Sequence, residues 1–132
     1  MAILFDSGPA ELLRRGNRRA EALAVQYYPP VLPLPVVGEF LYGLLWAQVS
    51  AEAFSHAQEF LGSFELLMPD HQTALIYARL RSHARAQGKP IPDPDYWIAA
   101  LALQHQTRLV TMDRHFESFP ELAGSLLYLD SR

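Results

Sequence analysis

Four carboxylates in this chain, Asp6, Glu39, Asp95 and Asp113, each stand where an apolar stretch meets a helix start or a turn. They are spread over almost the whole sequence, yet their settings match. Met1-Ala-Ile-Leu-Phe-Asp6 reads as a short buried strand closed by an acid, and Leu109-Val-Thr-Met-Asp113 repeats the pattern. Val36-Val-Gly-Glu39 and Pro92-Asp93-Pro94-Asp95 open apolar helices instead. Short apolar strands alternating with helices build an open parallel sheet, whose strand carboxyl ends share the crevice where ligands bind. Acids gathered there repel one another unless a cation neutralises them. The pattern predicts a divalent metal site.

The rest of the chain fits that frame. Strands are expected over residues 2–5, 31–34, 64–68, 108–111 and 125–129. Helices are expected over 9–15, 18–26, 36–49, 51–62, 71–87, 94–105 and 114–118. Gly8-Pro9, Gly16-Asn17 and Gly88 punctuate them, and Asp70 is placed to cap the helix from 71. The order β-α-α-β-α-α-β-α-α-β-α-β predicts an α/β three-layer sandwich with a mostly parallel central sheet. At 132 residues the chain is read as a single domain, 1–132.

Composition narrows the chemistry. Without cysteine, disulfides and thiolate-bound metals are excluded, and a reducing cytoplasm is the default expectation. The N-terminus enters a strand with no basic leader, and no apolar run reaches membrane-spanning length. A net charge of −3 gives no sign of a polyanionic partner, although metal-binding acids count as negative until the metal arrives. The arginines cluster at 14, 15, 18 and 19 and again at 79, 81 and 85, patterns that solvated helix faces also produce.

Each acid has a bland reading beside the functional one. Asp6 could merely cap the next helix, but Gly8 lets backbone or ligand approach closely. Glu39 sits among Val36, Val37, Phe40 and Leu41, in what reads as the first turn of a buried helix. The helix dipole is worth under about 1 kcal/mol there, less than an uncompensated buried carboxylate costs. Asp93 before Pro94 fits an N-cap followed by a first helical residue, leaving Asp95 to project into the crevice. Asp113 could be a turn former. The five histidines show no metal-ligand spacing, so oxygen ligation of Mg²⁺ or Mn²⁺ is expected rather than zinc.

With these residues assembled, the chain resembles the PIN-domain family, and within it the VapC-type toxins of bacterial toxin–antitoxin pairs. The motifs that carry the resemblance are Ile3-Leu-Phe-Asp6-Ser7, Val37-Gly-Glu39-Phe-Leu-Tyr-Gly43, Gly88-Lys-Pro-Ile-Pro-Asp-Pro-Asp95-Tyr-Trp-Ile-Ala-Ala100 and Leu109-Val-Thr111-Met-Asp113-Arg-His-Phe116. It implies an endoribonuclease that cuts single-stranded or loop RNA with Mg²⁺ or Mn²⁺. Asp6, Glu39, Asp95 and Asp113 would be catalytic, with Asp6, Asp95 and Asp113 on the metal and Ser7 and Thr111 in support. It further implies a homodimer neutralised by a cognate VapB-type antitoxin. Where the family usually has Asp-Thr-Asn or Asp-Thr-Ser, this chain has Asp6-Ser7-Gly8, which removes one polar side chain.

Rival readings are less complete. A phosphoryl-accepting receiver domain needs a lysine near its acids, and the only lysine, Lys89, lies in a Gly-Lys-Pro turn. A haloacid-dehalogenase-like phosphatase needs a second Asp where Gly8 stands. A non-enzymatic metal- or protein-binding module is the remaining alternative.

Overall fold

The residues between Ala2 and Phe5 have nowhere polar to go, and they form the centre of the sheet. In this computed structural model, which describes residues 2–130, strand β1 (Ile3–Phe5) is completely buried. It is followed by α1 (Ser7–Arg14), α2 (Arg18–Gln26), β2 (Val31–Pro33), α3 (Leu34–Trp46) and α4 (Ala51–Leu61). Then come β3 (Glu65–Leu67), α5 (His71–Ala86), α6 (Asp93–Gln104) and β4 (Arg108–Thr111). Two 3₁₀ turns, Arg114–Ser118 and Pro120–Leu122, lead into β5 (Leu126–Tyr128).

The strands pair in the order β3-β2-β1-β4-β5, and all four pairings are parallel. Parallel neighbours cannot be joined by hairpins, so the helices are the crossovers, and they flank the sheet as layers. Leu109 and Val110 in β4 are fully buried, like β1. From β1 the chain steps outward through β2 to β3, then returns to lay β4 on the other side of β1. The strand order therefore reverses between β1 and β4, the place where such sheets open a crevice. Phe5 pairs with Val110, and the ladder continues one step, with Asp6 N–H donating to the Val110 carbonyl at 2.9 Å.

Helix boundaries moved in three informative places. α1 begins at Ser7, not Pro9, because Asp6 itself is the N-cap and accepts from Ser7 N–H at 2.8 Å. α3 begins at Leu34 behind Pro33, which puts Glu39 in the second turn, beyond the reach of the helix dipole. Nor is α3 buried throughout, as its apolar sequence implied. Val36 and Phe40 are in the core, while Tyr42, Leu45 and Trp46 are 66%, 64% and 78% exposed. α6 begins at Asp93 with Pro92 as its N-cap and no side-chain cap bond. The capping role expected for Asp93 is thus wrong: its carboxylate binds Arg81 at 3.0 Å and accepts from Tyr77 Oη.

Elsewhere the punctuation worked as the residues demand. Gly16 and Gly88 end their helices at φ +82° and +68°, conformations that cost a side chain energy. Asp70 and Thr73 form a reciprocal capping box on α5. Among the described residues no helix is long and apolar enough to cross a membrane.

Candidate metal centre

The four acids singled out in the sequence come together at the β1–β4 reversal. Asp6 follows β1, Asp113 lies just past β4, Asp95 stands on the first turn of α6 and Glu39 on α3. Asp6, Asp95 and Asp113 all act electrostatically on Glu39, and Asp6 and Asp113 on Asp95. Asp6 and Asp95 are each only 7% exposed.

The two oxygens of Asp6 do separate work. Oδ1 caps α1, whereas Oδ2 accepts from Thr111 Oγ1 at 2.7 Å. Thr111 is fully buried, and its hydroxyl also accepts from Asp113 N–H at 2.9 Å. One side chain at the end of β4 thus holds one acid directly and the backbone of another. Removing such a partner typically lowers metal affinity about 10–100-fold. Thr111→Val is therefore expected to weaken Mn²⁺ binding by that factor, with the fold retained. Calorimetric titration checks this, and unchanged affinity would count against a positioning role for Thr111.

Charge repulsion leaves its mark on protonation. Burial, then the charges of Asp6, Asp95 and Asp113, push the Glu39 pKa up to about 7, against which the neighbouring Ser7 hydroxyl acts weakly. Burial, then Asp6 and Asp113, push Asp95 up to about 6, with His115 opposing. Burial also raises Asp6, while the Thr111 and Ser7 hydrogen bonds pull it back and Asp113 adds to the rise. Glu39 Oε1 is buried with no hydrogen-bond partner among the described residues, which is costly for a carboxylate oxygen. A cation answers all of these conditions at once.

A fifth participant, His115, escaped the sequence reading. Its Nδ1 lies 3.3 Å from Asp95 Oδ2 and 3.1 Å from Asp113 Oδ1. Asp95, Asp113 and His115 can present ligand atoms within 4.8 Å of one another. An imidazole thus stands beside the oxygen donors expected from the sequence. As a direct ligand an imidazole would favour softer metals than Mg²⁺; hydrogen-bonded to Asp95 it would orient that carboxylate instead. No histidine motif could have shown this, since the partners are 20 residues apart and meet only through the 3₁₀ turn.

Gly8 also has a local cause. A Cβ there would lie 2.9 Å from Met112 Sδ, closer than such contacts occur. Met112, which is partly exposed and lines the same opening, would have to move aside for any side chain at position 8.

Carboxylates clustered at the switch point of an open parallel sheet are an arrangement suited to a divalent cation. A profile of the PIN domain matches residues 10–122, and the chain belongs to that family, whose toxins are typically nucleases using divalent metals. The match begins after Asp6, so that residue's place in the site rests on its geometry. Toxin FitB of Neisseria gonorrhoeae is 46% identical over 44 residues, a segment that is 33% of this chain and 32% of FitB. The match thus spans about a third of that relative. The fold is shared with VapBC2 of Rickettsia felis, solved bound to a promoter DNA fragment, at TM-score 0.83 and 20% identity over 98% of this chain and 100% of that one. FitAcB of Neisseria gonorrhoeae superposes at TM-score 0.75 and 28% identity, covering 95% of this chain and 96% of that one.

Proposed function

We propose that this chain is a Mg²⁺- or Mn²⁺-dependent endoribonuclease toxin that cuts single-stranded or loop RNA and is neutralised by a cognate antitoxin. The observation that carries the reading is the proximity of Asp6, Asp95 and Asp113 to Glu39, with an unpartnered buried oxygen on Glu39. Asp6, Asp95 and Asp113 would hold the metal. When bound, it lowers the pKa of a water and offsets charge on the phosphate.

The chain's own residues supply the rest. Glu39, outside the metal-holding set, would take a proton from an attacking water. Thr111 fixes the Asp6 carboxylate and the Asp113 backbone, so the acids are ordered before substrate arrives. His115 steadies Asp95 and Asp113 from the solvent side. Ser7 stands beside Glu39 and favours its ionised form.

The partner reading extends from toxins such as FitB and the VapBC assemblies, with a VapB-type antitoxin and a homodimer as the expected associations. Exposed Tyr28, Leu45 and Trp46 provide apolar surface for them. A cytoplasmic location follows from the substrate.

Purified protein incubated with total cellular RNA and Mg²⁺ should generate discrete new 5′ ends. EDTA should abolish them, Mn²⁺ restore them, and the cognate antitoxin suppress them. Mg²⁺ binding without any RNA cleavage would instead favour the non-enzymatic metal- or protein-binding module.

A further inference from the structure

α6 presents its two early acids to opposite sides, as a spacing of two residues at 3.6 per turn requires. Asp95 joins the carboxylate cluster. Asp93 faces α5, where it takes Arg81 at 3.0 Å. Beside Asp93 opens a cavity of about 420 Å³ whose lining includes Arg81, Arg85, Lys89 and Tyr96. Three cations therefore meet one carboxylate. Asp93 is committed to Arg81, and among the described residues Arg85 and Lys89 have no ion-pair partner. The left-handed turn at Gly88 brings Lys89 back over the end of α5, where its N–H bonds the Ala84 carbonyl at 3.1 Å.

A concentration of positive charge on α5 and the turn that follows it, next to the helix that carries Asp95, is out of keeping with a chain of net charge −3. It is what a polyanionic strand requires if one of its phosphates enters the acid cluster and another must be held away from it. Resting on the ribonuclease reading, we infer that the Arg81–Arg85–Lys89 cavity is a subsite for a backbone phosphate of single-stranded RNA, distinct from the phosphate that is cleaved. The contact is to phosphate and not to a base. Tyr96, the aromatic residue in the lining, is 5% exposed, and neighbouring Tyr77 is stacked on Trp97 at 4.1 Å. No open ring face is offered for base stacking. Pro90 and Ile91 also line the cavity, but three cations against a single carboxylate suit a phosphate better than the apolar face of a peptide.

The test uses Arg85→Ala with Lys89→Ala in the full chain, in a cleavage-deficient Asp6→Asn background. Binding of labelled single-stranded RNA oligonucleotides of unrelated sequence is measured across a salt series with Mg²⁺ present, and wild-type cleavage is followed in parallel. The double variant should bind about tenfold or more weakly for every sequence. Its slope of log affinity against log salt should shrink by roughly 0.7, the value for one lost phosphate contact on a single strand. An Arg18→Ala, Arg79→Ala control removes the same charge elsewhere on the surface and should shift affinity less than about twofold, with little change in slope. If wild type cleaves RNA and the Arg85/Lys89 variant binds it like the control, the subsite is wrong while the nuclease reading stands. Sequence-selective loss, or lost affinity for the antitoxin with RNA binding intact, also overturns it. If wild type neither binds nor cleaves RNA, the nuclease reading fails and the subsite with it.

Discussion

Asp95→Asn and Asp6→Asn proteins are expected to leave RNA intact under conditions in which the wild type cuts it. The loss should exceed the roughly 10–100-fold that follows removal of a residue merely supporting a metal ligand. Both variants should stay folded. Asn caps a helix about as well as Asp, so the bond from Ser7 N–H at the start of α1 survives the Asp6 change. At Asp95 the substitution removes a charge that its neighbours already disfavour. Gel-resolved cleavage with matched melting curves separates chemistry from stability. Full cleavage by both variants would remove the site assignment, whatever the fate of the nuclease reading.

The metal-free protein should lose stability as pH rises towards 8, and Mg²⁺ should reverse that trend. In the unfolded chain a Glu and an Asp titrate near 4.5 and 3.8, whereas folded Glu39 and Asp95 hold their protons to about 7 and 6. The native state therefore binds more protons between roughly pH 4 and 7, and stability contributed by these groups falls as pH rises through that window. Neutralising one acid should relieve the strain. After allowance for solvent screening, Glu39→Gln is expected to stabilise the metal-free protein at pH 8 by about 1–2 kcal/mol, several degrees in melting temperature. A bound cation requires ionised carboxylates, so Mg²⁺ should stabilise more at pH 8 than at pH 5.5. A metal-free Glu39→Gln protein that melts below wild type at pH 8 would contradict mutual repulsion among the acids.

The central sheet and the acids were legible because their physical signals are local. Ile3–Phe5 and Leu109–Val110 are apolar without alternation, as strands buried on both faces must be, and an acid closing such a run is costly enough to need a reason. What was not legible depended on contacts made by the folded chain. Asp93 looked like a cap because Pro94 follows it, but the helix started one residue earlier and Arg81 claimed the carboxylate. Glu39 was placed one turn too early because Leu34 and Pro35 read as strand exit, not helix. The exposed Trp46 end of α3 leaves apolar surface for partners. His115 reaches Asp95 across the fold, and its spacing from Asp113 follows no helical or strand period.

The reversal of strand order between β1 and β4 also fixes when the protein can become active during its own synthesis. Asp6 is translated well before Thr111, which anchors it from 105 positions later. β2 and β3 can join β1 while the ribosome is still working, since their pairings need nothing from β4. The four acids, by contrast, cannot assemble until the chain has been extended past residue 113 and β4 has docked beside β1. A nascent or prematurely terminated chain can thus acquire half the sheet and still lack the assembled acid cluster. For a protein that could attack the RNA around it, the longest-range pairing in the fold acts as a safety catch released only late in synthesis.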